Sequence, residues 1–335
     1  RMLRRRNTFG PIRGAAQPET LLPMLYRGIA RIMETIDRLF QAAKQRYDVS
    51  QPSLAECYDI TRACLAKLQT EATLRRFGEF RGTPNLEYWV AEGNGNLSRP
   101  YRPELFIADI QEFEQAVVSF QDQMDDDDIT DPVLFEKVIY TVVSSFCLCF
   151  DVWKPKSRKT PGTFFEVFIG SVCQIRYPRP RFQMTKHIPI VVDVPELGAV
   201  DVVDDGALQG NSVSTDLVIT NTETQQAAVI PLKITTRERI VQPFAHQRIL
   251  DSAYPGRFRS YLTCISEVQR DDKTTAVKQI CVPGTVALFQ KHLSELSGLY
   301  YCDIPQRYAR QDFTALIRVT GISNLFDDID DWLDR

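Results

Sequence analysis

None of the eight cysteines (Cys57, Cys64, Cys147, Cys149, Cys173, Cys264, Cys281 and Cys302) falls in a CxxC pair, so a zinc cage of the usual spacing is not expected. Several lie inside apolar runs such as SSFCLCF and KQICVPG, where a free thiol packs as a small hydrophobe. The set reads as reduced and the compartment as cytosolic. The chain also has no Gly-rich phosphate loop, no GxSxG elbow and no HExxH pair, which removes the readings those motifs carry. No apolar run approaches the roughly 20 residues of a membrane span, and no charged-then-apolar signal segment opens the sequence. No membrane partner is therefore expected. Strong charge bias is missing too. A net charge of −3 argues against a surface coated in basic groups, yet a cleft can be basic while the rest is acidic, which leaves room for nucleic acid.

What is present is a core-forming composition, 44% hydrophobic and 25% charged over 335 residues, enough for one large domain or two ordinary ones. Two regions differ in pattern. Residues 1–155 read as mostly helical, with apolar residues at three- and four-residue steps in 24–43 (Leu25, Ile29, Ile32, Met33, Ile36, Leu39 and Phe40) and further helices over 54–72, 105–120 and 132–150. The Gly-, Pro- and Asn-rich stretch 81–104 reads as loop, and Asp125–Asp128 as a solvated connection or a helix-start signal.

Residues 156–335 change character. Pro161–Gly162 opens a helix with Glu166 in its first turn. Segments 191–203, 214–221 and 227–235 read as strands, the last two joined by the polar turn TETQQ. A helix capped by Thr235 or Thr236 follows and restarts or kinks near Pro243. Strands over 260–268 and 276–282, a helix over 284–296 and a last strand over 298–304 complete the series. The expected class is α/β, with a mixed central sheet flanked by helices.

Asp216 and Lys233 lie on the two arms of the predicted hairpin. Charges are rarely buried unless paired or bound to metal. A carboxylate holding a divalent cation beside a lysine is the equipment for phosphodiester hydrolysis. A buried salt bridge, or a lysine that snorkels to solvent, is the bland alternative. Arg237-Glu238-Arg239 follows at once. Arginine forks read guanine O6 and N7, and a carboxylate accepts from cytosine N4, so the triplet has the groups to read adjacent C·G pairs. A solvated helix start is the alternative there.

Asp216, Lys233 and Arg237-Glu238-Arg239 in this order and spacing resemble the type II restriction endonucleases of the PD-(D/E)XK superfamily. The EcoRII-like, CCGG-cutting branch is the nearest in pattern. The resemblance covers roughly 160–305. It implies a restriction-endonuclease-like core with a metal bound by Asp216 and Glu166, and Lys233 positioning the attacking water. It also implies DNA contacts by Arg237, Glu238, Arg239 and Gln242. In that branch an acid of the site has moved from the lysine strand to the following helix. Here Pro231 stands two residues before the lysine, and the position thirteen past Lys233 is His246, not an acid, and imidazole matches Mg2+ poorly. Either His246 joins the catalytic set as an unusual ligand, or Glu166 completes the site with Asp216, or the helix aligns differently; a hydrogen-bonded helix histidine is the bland alternative. The implied activity is Mg2+-dependent cleavage of double-stranded DNA at a short GG/CC-containing site, by a homodimer, in the prokaryotic cytoplasm. Residues 1–155 would then supply dimer or DNA contacts, with Arg4, Arg5 and Arg6 as a basic arm. Two other functions fit parts of the pattern: a catalytically inactive DNA-binding protein on the same scaffold, and a structure-specific repair nuclease. His187 and His292 read as structural.

Overall fold

The structure, a computed structural model, describes residues 21–78, 86–126, 128–190, 212–271, 273 and 276–334; the side chains of 21–31, 237 and 238 are not among what it describes. The strand expected over 191–203 and the arm at Arg4–Arg6 therefore lie outside the described residues.

Helices α1 (Leu21–Asp48) and α2 (Leu54–Glu71) come first, and α3 (Ile110–Asp125), α4 (Pro132–Trp153) and α5 (Thr160–Arg176) follow. Local chemistry starts two of them. Asp109 accepts from the N–H groups of Gln111 and Glu112 to cap α3, and Asp131 accepts from Leu134 N ahead of Pro132 on α4. α4 is long and apolar enough to cross a membrane by length and composition, contrary to the expectation from sequence. Its apolar window is 78% buried inside the protein, so it is a core helix.

Within the expected loop 81–104 the structure has two strands. β1 (Thr73–Arg76) pairs with β2 (Trp89–Gly93), which pairs with β3 (Asn96–Leu97). Val90 and Ala91 are fully buried, and that burial outweighs the weak strand propensity of the Gly- and Asn-rich neighbours.

The main sheet is mixed, as expected. It is built from β4 (Phe182–Pro189), β5 (Ser212–Asn221), β6 (Ala227–Ile230), β7 (Leu232–Lys233), β8 (Phe258–Cys264), β11 (Gly298–Tyr301) and β12 (Val319–Gly321). The order is β12-β11-β8-β6-β5-β4, with β7 also on β8. β5 runs antiparallel to both of its neighbours, β4 and β6, while β6, β7, β11 and β12 join through parallel pairing centred on β8 and β11. β6 and β7 keep one register on β8, Val229 opposite Ser260 and Leu232 opposite Thr263. They are one strand broken at Pro231, which has no N–H to give the ladder.

The segment expected as a strand over 260–268 ends its ladder at Cys264. β9 (Val268–Asp271) instead pairs with β10 (Ala276–Gln279) in a separate two-stranded sheet. Between β7 and β8, α6 (Val241–Ala253) follows a 3-10 turn at Arg237–Ile240, so the restart near Pro243 holds, with the proline in the first turn of α6. α7 (Pro283–His292) stops short of the expected end. After β11 come α8 (Gln311–Thr314) and α9 (Asn324–Leu333) flanking β12, all beyond the strand expected to be last. The buried stripe of α9, Leu325, Phe326, Ile329 and Leu333, carries helical spacing.

Successive side chains of β5 face opposite layers. Leu217 and Ile219 join the main core with Ile36, Phe40, Phe146 and Phe164, while Val218 joins a smaller cluster with Leu250. Helices α1, α2, α4 and α5 thus cover one face of the sheet, and α6 and α7 the other. The main core draws on residues from both 1–155 and 156–335.

Candidate active site

The β5–β6 hairpin is closed by its own chemistry. Asn221 Oδ1 accepts from the N–H groups of Glu223 and Thr224, and its amide donates to the Leu333 carbonyl. At the other end of β5 the pairing with β4 jumps from Val218–Thr185 to Ser214–His187. β5 therefore bulges at Thr215–Leu217, and Asp216 lies in the bulge, where a side chain is re-aimed off the regular pleat.

Pro231 and Lys233 give their carbonyls to Thr263 and Ile265 on the β8 side, at 2.9 and 3.2 Å. Leu232 between them turns its N–H and carbonyl the other way. Its N–H donates to Asp216 Oδ2 at 2.7 Å, and Lys233 Nζ donates to the same oxygen at 2.6 Å. Asp216 Oδ1 accepts no hydrogen bond among the described residues. The pair is largely buried, with Lys233 15% and Asp216 18% exposed.

Glu166 stands in the second turn of α5, not the first, because the helix opens at Thr160. α5 packs against β7 and β5, which puts Glu166 in one cleft of about 570 Å3 with Asp216 and Lys233. Burial pushes the Glu166 carboxyl up, and the negative charge of Asp216 adds to this; Lys186 and Lys233 pull it back. Lys186 Nζ lies 3.6 Å from Glu166 Oε2.

On the other side of the pair, Gln242 and His246 stand one turn apart on α6. They line a cavity of about 150 Å3 with Asp216, Lys233 and Ser214. Burial lowers the His246 pKa, and the positive charge of Lys233 lowers it further. The ring is therefore neutral near pH 7.

The structure thus brings Asp216, Lys233, Glu166, Gln242 and His246 around one centre. Arg239 also lines the larger cleft. Arg237 and Glu238 share its 3-10 turn, four and five residues past β7, but their side chains lie outside the described residues. His187 pairs with Ser214 Oγ at 2.9 Å.

Sequence reasoning missed several residues. Arg99, Arg158 and Lys159 line the same cleft as Glu166. The basic run 154–159, KPKSRK, was a usable signal for two of them; Arg99 offered none. Fully buried Glu267, which accepts from Thr236 N at 2.9 Å, was read as part of a strand. Among the described residues no three His, Cys, Asp or Glu side chains form a metal-ligand cluster. Two carboxylates remain a fitting set for a hard divalent cation that keeps several waters, and the unengaged Asp216 Oδ1 suits that role.

The sequence matches no protein-family model, and no curated protein matches it. Solved structures do. The crystal structure of the type IIP restriction endonuclease Kpn2I is 40% identical, covers 90% of this chain and 98% of its own, and superposes with a TM-score of 0.75. The restriction endonuclease PspGI–substrate DNA complex is 14% identical, covers 67% of this chain and 92% of its own, with a TM-score of 0.38.

The chain belongs to the type II restriction endonucleases. It is a site-specific DNA endonuclease, a hydrolase whose class works with a divalent metal and whose partner is DNA. That membership favours the nuclease over the inactive binding protein and the structure-specific repair enzyme.

Proposed function

We propose that the enzyme uses Mg2+ to hydrolyse one phosphodiester bond in each strand of double-stranded DNA. The site is a short palindrome containing GG/CC pairs, and the enzyme works as a homodimer. The observation that carries this reading is the meeting of Asp216, Lys233 and Glu166 in one cleft. Asp216 and Glu166 would hold the cation with oxygen donors, which Mg2+ prefers. Bound there, Mg2+ polarises the phosphate and eases loss of a proton from water.

Lys233, held by Asp216, orients the attacking water and offsets charge growing on the phosphoryl oxygens. The water oxygen bonds to phosphorus as the bond to the leaving sugar oxygen breaks, and that oxygen takes up a proton. His246, as a neutral imidazole, supports the pair from α6. Arg237, Glu238 and Arg239 read C·G pairs in the major groove, with Gln242 one turn further on. The spacing shared with the EcoRII-like, CCGG-cutting branch supports this assignment. A palindrome presents the same half-site twice, which calls for a two-fold dimer; residues 1–155 are the candidates for its contacts. The eight free cysteines, all buried, suit the reducing cytoplasm of a prokaryote.

Sequencing the ends of fragments cut from a known plasmid tests the reading. A single palindrome with adjacent C·G pairs at every cut is the expected result. Cuts at sites without such pairs would remove the reader role from 237–239.

A further inference from the structure

Two clefts share a wall. The catalytic cleft and a second one of about 410 Å3 both include Arg99, Arg158 and Thr235. Together they make one channel from Asp216 and Lys233 to Arg270 on β9. Cations line it throughout: Lys233, Arg239, Lys159, Arg158, Arg99 and Arg270. Acids are confined to Asp216 and Glu166 at the reaction centre and to Asp151.

Asp151, near the end of α4, is already engaged. It accepts from the Arg99 backbone N–H at 2.8 Å, from Nε at 2.7 Å and from Nη2 at 2.9 Å. One edge of the guanidinium is thereby fixed. No group among the described residues accepts from its Nη1, so those donors remain for a ligand. The neighbouring residue is fastened as well, since Ser98 is fully buried and its carbonyl accepts from Arg270 Nη1 at 2.6 Å. Arg158 differs. It is exposed, with no side-chain hydrogen bond or ion pair among the described residues. A pre-oriented fork beside a free one, in a channel leading from the reaction centre, matches a polyanion with regularly spaced phosphates.

We infer that this channel carries the DNA backbone away from the scissile phosphate, and that Arg99 and Arg158 each grip a phosphate of it. The inference rests on Asp216 and Lys233 being the reaction centre. It makes β3 and the α4–α5 connection part of the DNA-binding surface, and Asp151 the positioning residue for Arg99.

Salt-dependent binding tests it. Affinity for a duplex carrying the cleavage site, and for one lacking it, is measured in EDTA over a salt series for wild type, Arg158→Ala and Arg99→Lys. Each phosphate contact adds about one to the slope of log affinity against log salt. Arg158→Ala is expected to bind both duplexes about tenfold more weakly at low salt, with the slope reduced by about one. Arg99→Lys is expected to lose affinity similarly, because one ammonium cannot serve Asp151 and a phosphate with two fixed edges. Unchanged affinity and slope in Arg158→Ala would overturn the inference, even if Arg99→Lys fails to fold. A loss confined to the cognate duplex would also overturn it, since it would make these arginines base readers. Failure of the underlying reading has a separate signature: Asp216→Ala would still cut DNA.

Discussion

Thr236 donates its backbone N–H to Glu267 Oε1 at 2.9 Å, and its hydroxyl donates to the same oxygen. Glu267 is fully buried, and Tyr301 adds a longer bond at 3.4 Å. Thr236 lies between Lys233 and the 3-10 turn that begins at Arg237. A buried carboxylate thus fastens the hinge between the lysine and the turn assigned to base reading. Its cost of burial is offset by charge-assisted hydrogen bonds.

Thr236→Val removes the hydroxyl at nearly constant volume. We expect a stability loss of about 1–3 kcal/mol from the poorly satisfied carboxylate. We also expect a looser turn, which raises cleavage at sites differing by one base pair relative to the cognate site. Paired rate measurements check this. A stability loss with an unchanged rate ratio would make the contact structural only.

Lys233→Met should abolish most of the chemistry while DNA binding in EDTA persists. A group that orients the attacking water is worth about 10²–10⁴ in rate. Single-turnover cleavage, read beside binding, separates the two effects. Equal losses in both would place the lysine in binding.

His246 bears on metal choice. An imidazole suits later transition metals better than Mg2+, which prefers oxygen. His246→Glu should raise the rate in Mg2+ relative to that in Mn2+, by about tenfold. Cleavage measured in each metal gives the ratio, and an unchanged ratio would place His246 outside the metal's surroundings.

Asp303 gives the fold a pH dependence. It is buried against Arg102 Nη1 at 2.9 Å and the Tyr88 hydroxyl at 2.9 Å. Burial pushes its pKa up to about 6, against the pull of Arg102. The folded state then binds the proton more tightly than the unfolded chain does. Stability from this group is fully present below the unfolded carboxylate range and is lost as pH rises through about 6. The change amounts to about 3 kcal/mol. Urea unfolding from pH 4 to 7 should show that slope in wild type and lose it in Asp303→Asn.

Legibility followed sequence distance. Asp216 and Lys233 were readable because they sit on alternating apolar arms around one polar turn. The main sheet was readable from the same β-rich runs. Glu166 was placed on the right helix, though one turn early, since helix starts are set by capping detail. The bulge that re-aims Asp216 was not visible, because it depends on the register of β4, a strand the sequence reading did not identify. Arg99 and Arg158 meet only through tertiary packing of β3 against the end of α4. Trp89–Gly93 looked like loop because its strand character comes from burial of Val90 and Ala91, not from propensity.

The most direct test of the central claim is digestion of a fully sequenced plasmid by the wild-type enzyme and by Asp216→Ala, each in Mg2+ and in EDTA. Discrete fragments from wild type in Mg2+ alone, with none from a folded Asp216→Ala, are the predicted result. Discrete fragments from Asp216→Ala, or from wild type in EDTA, would contradict the assignment of Asp216 as the metal-holding residue of the site.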